Sequence, residues 1–390
     1  MDIKEDKHLI AIAIIASTIV IISFIFVFSE VIFGNTKTKS ANKDNRKTVT
    51  FVGVGDNLMH DTIYVPADGR AGVYGDGVYD FDSFYKNIKD DISKFDLRYI
   101  NQESIIAGNS FGISSYPKFN SPQPLMDAVV NAGFNVINMA NNHSLDRGET
   151  GINNSIKLWD SKNVYHFGVY DSQESRNKTH IIEKNGIKIA VLSYTYGTNG
   201  MLPVNSYAVA YLNEKDVRRD IENARNQSDF ILISVHWGEE GIEQLDSVQQ
   251  KYGNLFNELG VDVVLGTHAH RIQEVEWKEN SSGKKTLIYY GTGNFVHNML
   301  KPTTYLEGMA SWTFVKDGSK KYIDNAKFTP LVFHLERGAY GFEGSVYRLD
   351  EYPIELANKH IEMCGNGNYY LNIFKNTVDR LVPKDMIDMK

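Results

Sequence analysis

From Thr48 onward the chain alternates short apolar runs with amphipathic stretches, and this alternation limits the possible folds more than any other feature. The runs are TVTFVGVG (48–55), LRYIN (97–101), FNVINMA (134–140), IKIAVLSYT (187–195), DFILISVH (229–236), VDVVLGTH (261–268) and TLIYYGTGNF (286–295). They are rich in β-branched and aromatic residues, which suit a pleated, buried surface. Between them lie expected helices. SPQPLMDAVVNAG (121–133) offers Ser121 as N-cap, Pro122 in the first turn and Gly133 past the end. Residues 151–161, 214–227 and 243–260 carry apolar side chains at helical spacing. Strands alternating with helices predict an α/β fold.

Bulk properties narrow the function. The net charge is −7, so there is no basic surplus to attract nucleic acid, and none is expected as a partner. The single cysteine, Cys364, rules out a disulfide within one chain. Leu9 to Phe28 is uncharged, with Ser17, Thr18 and Ser23 as its only polar members. Twenty such residues are long enough to cross a bilayer as a helix. The following FSEVIFGN lacks a signal-peptide cleavage pattern, so an uncleaved membrane anchor is expected. The expected organisation is a tail at 1–8, an anchor at 9–33, a polar linker at 34–47, a globular domain at 48–340 and an extension at 341–390. The lysines and arginine after the apolar run would place the body in the cytoplasm, but large domains translocate regardless of such charges.

The polar residues that follow the strands point to chemistry. Asp56, Glu103, Asn142, His236, the pair His268 and His270, and Asn294 each stand at or just beyond a strand end. In open α/β sheets, ligands bind outside the carboxyl ends of the strands. One such residue is an ordinary turn former. Six strands that place carboxylates, amides and imidazoles at the same end form a donor set. His268 and His270 are two apart, so on a continuing strand both rings share a face. Carboxylate and amide oxygens with imidazole nitrogens suit one or two divalent ions such as Mn, Fe, Zn or Mg. Other candidates have plainer readings. Glu239 and Glu240 read as a solvated helix start, Trp237 as core, His60 as an ordinary loop residue, and Asp146 as a cap on the next helix.

The pieces VGDNLM (54–59), NQESII (101–106), AGFNVINMANNHSLDRG (132–148), HWGEE (236–240), VVLGTHAHRIQ (263–273) and YYGTGNF (289–295) together resemble the CapA family of poly-γ-glutamate capsule biosynthesis proteins. That family lies within the calcineurin-like metallophosphoesterase superfamily. The resemblance implies a two-sheet sandwich flanked by helices. It implies Asp56, Glu103, Asn142, His236, His268 and His270 as metal ligands, and His143 as the catalytic histidine facing a leaving group. Arg147 and Asn294 are expected to contact substrate. The superfamily's D-x-H histidine is missing, because Leu58 stands there, and this places a second ion in question. The implied partners are the membrane, an anionic polymer or phosphoester substrate, and membrane-bound polymer synthase subunits. The implied location is the cell membrane, crossed once, with the body outside the cytoplasm. Two rival functions are a phosphoesterase of another extracytoplasmic pathway and a non-catalytic scaffold of a polymer synthase.

Overall fold

The computed structural model describes residues 46–390, together with Ile14, Ser17 and Thr18. The expected anchor and nearly all of the expected linker lie outside the described residues. Among the described residues, no helix is long and apolar enough to cross a membrane. Residues 47–390 form one compact unit.

The unit contains two β-sheets with helices, the α/β class predicted above. The strands are β1 (Arg46–Asn57), β2 (Leu97–Asn101), β3 (Val136–Asn138), β4 (Tyr165–Phe167), β5 (Ile181–Lys184), β6 (Ile187–Thr195), β7 (Phe230–Trp237), β8 (Val263–His268), β9 (Val275–Glu279), β10 (Lys285–Tyr289), β11 (Asn294–Val296), β12 (Leu306–Asp317), β13 (Lys320–Gly338) and β14 (Gly341–Arg348). The first sheet runs β14-β13-β12-β1-β2-β3-β4, with β11 also paired to β1. The second runs β5-β6-β7-β8-β10-β9. In the first sheet β1 to β4 are parallel; in the second, β6, β7, β8 and β10 are parallel. Parallel strands covered on both faces should be apolar throughout. All eight residues of β7 (FILISVHW) are buried, as that rule requires.

Two cores hold the layers. Between the sheets, Phe51 stacks on Trp312 at 4.4 Å between ring centroids. The Tyr99 hydroxyl bonds Ser234 Oγ at 2.7 Å, joining β2 of one sheet to β7 of the other. On the outer face of the second sheet, the helices Glu214–Arg225 and Ser247–Glu258 bury Val217, Ile221, Leu255 and Phe256 against the strands. Full burial of such a side chain contributes roughly 1.5–3 kcal/mol. Asp246 and Gln249 form a reciprocal capping box, which starts the second of these helices at Ser247 rather than at the expected residue 243.

Three sequence expectations need correction. The helix expected from residue 121 begins at Leu125. Ser121 donates its hydroxyl to Ser104 Oγ at 2.8 Å instead of capping, and Pro122 and Pro124 hold the intervening turn. The run 286–295 is two strands in different sheets. It leaves the second sheet after Tyr289, and Asn294 pairs beside Asp56 in the first. This crossing depends on bare backbone: a Cβ on Gly55 would sit 1.9 Å from the Gly293 carbonyl oxygen, and one on Gly266 would sit 2.0 Å from that of Tyr290. Finally, the boundary expected at residue 340 falls in the tight turn between β13 and β14, where Gly338 pairs with Gly341. Residues 341–390 are therefore not a separate extension. They add an edge strand and the helix Gly367–Leu381, whose Phe374 and Val378 belong to the shared core.

Candidate metal centre

The parallel strands of both sheets end at a common place. In the first sheet Asp56 lies in register with Asn101, and Asn101 with Asn138. In the second, His236 lies opposite Thr267, and Trp237 opposite His268. Asp56, Glu103 and His236 are fully buried, and Asn142, His268 and His270 nearly so.

Among the described residues, three donor sets bring their ligand atoms within 4.8 Å of one another: Glu103, His236 and His268; Asp56, Glu103 and His270; and Glu240, His268 and His270. Glu103 Oε1 is 3.7 Å from His236 Nε2 and 3.8 Å from His270 Nε2. The Asn142 amide oxygen is 3.0 Å from His236 Nε2. All six expected ligands thus come together.

The route differs from the expected one for the histidine pair. Strand β8 ends at His268, and His270 lies beyond it. Both have left-handed backbones, with φ of 94° and 53°. Strand alternation therefore does not align the two rings; a strained turn does. Each such conformation costs a non-glycine residue on the order of 1–3 kcal/mol and persists where the surroundings enforce it. Here the His268 N–H donates to Asp56 Oδ2 at 3.1 Å, tying the turn to the opposite sheet.

Hydrogen bonds behind the donors fix their orientation, the usual arrangement around ligating groups. Asn101 Nδ2 donates to Asp56 Oδ1 at 2.6 Å. Asn138 supports Asn101 at 2.8 Å, and the Ser193 hydroxyl donates to Asn138 in turn. Thr267 Oγ1 holds His236 Nδ1 at 2.9 Å. His270 Nδ1 lies 2.8 Å from Asn294 Oδ1, and an amide oxygen only accepts, so that nitrogen carries the proton and Nε2 is left toward Glu103.

The electrostatics favour a cation. Burial, then the neighbouring Asp56 carboxylate, push the Glu103 carboxyl well above its ordinary range. Burial, then adjacent imidazoles, hold His236 and His268 well below theirs, so both are neutral nitrogen donors. Burial opposes charge on His270 as well, but Glu103 and Asp56 outweigh it and raise the group to about 10. Both Glu103 oxygens and His268 Nδ1 are buried without a hydrogen-bond partner among the described residues. Buried polar atoms are nearly always satisfied, so three such atoms gathered among these donors fit a site that takes a cation. Hard carboxylate oxygens beside imidazole nitrogens fit a divalent transition ion. Asp56, Glu103, Asn142, His236, His268 and His270 are the residues that would hold it. Leu58, in place of the superfamily histidine, is packed into the protein and supplies no donor. Even so, two of the three-donor sets share Glu103.

A family model for the bacterial capsule synthesis protein matches residues 50–299, which include every one of these donors. The chain belongs to the bacterial capsule synthesis protein family. Among its relatives are the PGA biosynthesis protein CapA of Bacillus subtilis, 24% identical over 204 residues, and the capsule biosynthesis protein CapA of Bacillus anthracis, 24% identical over 206 residues. The alignments cover 52% and 51% of this chain, and 51% and 46% of those relatives. The chain therefore spans about half the length of the curated relatives it matches.

Around this capsule-family centre, other expected residues take different places. His143 is next to Asn142, and its Nδ1 bonds Asp146 Oδ2 at 2.7 Å. Asp146 therefore orients His143 and does not cap the following helix, whose N-cap residue, Arg147, makes no side-chain cap bond. Arg147 donates to the Asp146 and Lys118 carbonyls and to Ser114, so its guanidinium secures the loop before Phe119. Asn294, expected at the substrate, is fully buried and oriented toward His270. His60 is no free loop residue: its Nδ1 accepts from the Asn298 N–H at 3.2 Å, and burial lowers it to about 4. Trp237 is core, as expected, and its indole N–H donates to the Tyr290 carbonyl at 2.9 Å.

Several contributors escaped the sequence reading. Glu240 is exposed, as expected, but after the turn at Gly238 (φ 96°) its carboxylate also lies within 4.8 Å of the His268 and His270 donors. Asn101 and Thr267 lie inside recognised motifs but act behind the ligands. Tyr196 follows β6, the one strand assigned no polar ending. Its ring packs on His268 at 4.4 Å while 45% of it remains exposed, which places a phenol at the mouth of the centre. Burial, then Glu240 and Glu103, raise that phenol to about 12, so it stays protonated at neutral pH.

Proposed function

We propose that this protein acts in making, attaching or exporting a poly-γ-glutamate-like capsule polymer, through a divalent-metal centre at the shared strand ends. The observation that carries the reading is the convergence of two buried carboxylates, an amide and three imidazoles, with both Glu103 oxygens unsatisfied. When bound there, a divalent ion supplies Lewis acidity toward a carbonyl or phosphoryl oxygen and lowers the pKa of water. The chain's own residues divide the remaining work. Asp146 fixes the proton of His143 on Nδ1 and leaves Nε2 to hold or give a proton to a departing group. Asn294 and Thr267 keep His270 and His236 aimed. Tyr196 presents a neutral hydroxyl where substrate enters.

Glu103→Gln tests this in cells, because it keeps the size of the side chain and removes a charge shared by two donor sets. A strain carrying only this variant should make no more capsule polymer than a deletion strain. Polymer at the wild-type level, with the variant folded and expressed, would overturn the metal-centre reading.

We further propose that the apolar run at 9–28 anchors the protein in the membrane with its body outside. Protease added to intact cells should then digest residues 48–390. Full protection of that body until lysis would contradict the orientation.

A further inference from the structure

At the opposite end of the second sheet from the metal centre lies a wide basic cleft. It opens beside the first residues of β7, β8 and β10 and is lined as well by Lys321, Tyr322 and Ile323 near the start of β13. An eight-residue strand such as β7 spans about 26 Å, so the two sites are far apart. The cleft measures ≈ 720 Å³. Arg225, Lys284, Lys285 and Lys321 line it against two carboxylates, Asp229 and Asp262. In a chain of net charge −7 this surplus of cations is local.

The two carboxylates are already engaged by the protein. Asp229 accepts from the Lys188 N–H at 3.0 Å and pairs with Lys321 at 3.0 Å. Asp262 accepts from the Ile231 N–H at 2.8 Å and pairs with Lys284 at 3.0 Å. Each therefore holds one lysine in place and offsets its charge, so the surplus at the cleft rests on Arg225 and Lys285. Arg225 donates to the Leu259 carbonyl, and Lys285 pairs loosely with Glu279 at 3.6 Å. Trp277 and Tyr322 add aromatic faces that are 38% and 42% exposed. A second hollow of ≈ 600 Å³ shares Arg225 and Lys284, so the cleft continues along the surface. It adds Arg218 but also Glu222 and Glu258, so the positive surplus is greater in the first hollow.

We infer that this cleft binds a segment of a flexible polycarboxylate chain, apart from the metal centre. Flexible ammonium groups around a wide, elongated opening suit repeated carboxylates better than one rigid ligand. The aromatic faces suit the methylenes between those carboxylates. The site would hold an acidic polymer while another part of the same molecule is processed or passed on. The choice of polymer rests on the capsule reading above; the charge and shape of the cleft do not.

Trp277 supplies a local reporter, because Trp159, Trp237 and Trp312 are buried. Full-length protein is titrated at low salt with an end-labelled poly-γ-glutamic acid oligomer. Anisotropy reports binding, and acrylamide quenching reports cover over Trp277. The oligomer should bind, protect Trp277, and weaken as salt screens the charges. Arg225→Gln with Lys285→Gln should weaken binding about tenfold, or roughly threefold per exposed charge. Lys321→Gln alone should weaken it about threefold by the same reasoning. Lys157→Gln, which removes an exposed charge on the helix Gly148–Asp160 that does not line the cleft, should bind as wild type does. Equal affinity in wild type and the charge variants, no binding at all, or a stronger preference for polyphosphate of equal length would each overturn the inference. The capsule reading fails separately. If a deletion strain makes normal capsule while the oligomer still binds at the cleft, the function falls and the site stands.

Discussion

His268→Ala combined with His270→Ala should leave a folded protein that no longer retains a divalent ion. The two rings enter all three donor sets, either singly or together, so none of the three keeps its three donors. Loss of a hydrogen-bonding residue behind a metal ligand already costs about 10- to 100-fold in affinity. Loss of two ligands should exceed that, to about 1,000-fold or more. Alanine keeps a Cβ and so does not relieve the two left-handed backbones, but the turn should remain held by the His268 N–H bond to Asp56, which needs no side chain. The melting temperature of the metal-free variant should therefore stay close to that of metal-free wild type. The pH dependence follows from the wild-type groups. Without metal, His270 keeps its proton up to about 10, and the Glu103 carboxyl is raised as well. A cation must displace those protons, so wild-type affinity should rise with pH and protons should be released on binding. Calorimetry in buffers of different ionisation enthalpy would show the release. Undiminished metal affinity in the double variant would remove these histidines from the centre.

The second large effect concerns His143. His143→Ala should lower turnover by about 100- to 10,000-fold, the usual contribution of a positioned general acid. Metal content should remain near the wild-type level, because the neighbouring Asn142 and the other ligands are untouched. Asp146→Asn should lower turnover too, since the amide no longer fixes the Nδ1 proton in the same way. A purely structural role predicts a different pattern. Asp146 Oδ2 also accepts from the Phe119 N–H at 2.6 Å, and the Phe119 ring meets His143 edge-on at 4.7 Å. If that packing is the whole role of His143, the variant should melt earlier and its residual activity should follow the folded fraction. Metal content, melting temperature and polymer yield measured on one preparation separate the two accounts.

How much of this was legible in the sequence depends on the range of the interaction involved. The strands at 97–101 and 187–195 were read to the residue, because β-branched periodicity is local. The strand-end donors were legible for the same reason: a parallel sheet puts the residue after each apolar run at one edge. What failed was decided by contacts distant in the chain. Nothing local in 286–295 says that the run changes sheets after Tyr289; the signal is Gly55 and Gly266, far upstream, which leave room for the crossing. Ser121 resembled an N-cap until Ser104, also distant, took its hydroxyl. Glu240 is surface, as it looked, but the reach of its carboxylate to His268 and His270 follows a turn at Gly238, whose φ is positive. Strands β12 and β13 are among the longest in the protein and carried no expected element, because they form an antiparallel tail after the alternating pattern ends. Asn294 was placed near the chemistry, but its role behind His270 requires the β1–β11 pairing.

The central claim is that these strand ends form a metal centre, and the most direct measurement is element analysis of the full-length protein. The protein is purified without chelator, then stripped and reloaded with single divalent metals. One or two ions per chain, lost on chelation and restored on reloading, is the result the structure predicts. Folded protein that carries no divalent metal as purified and takes up none at millimolar supply would contradict it.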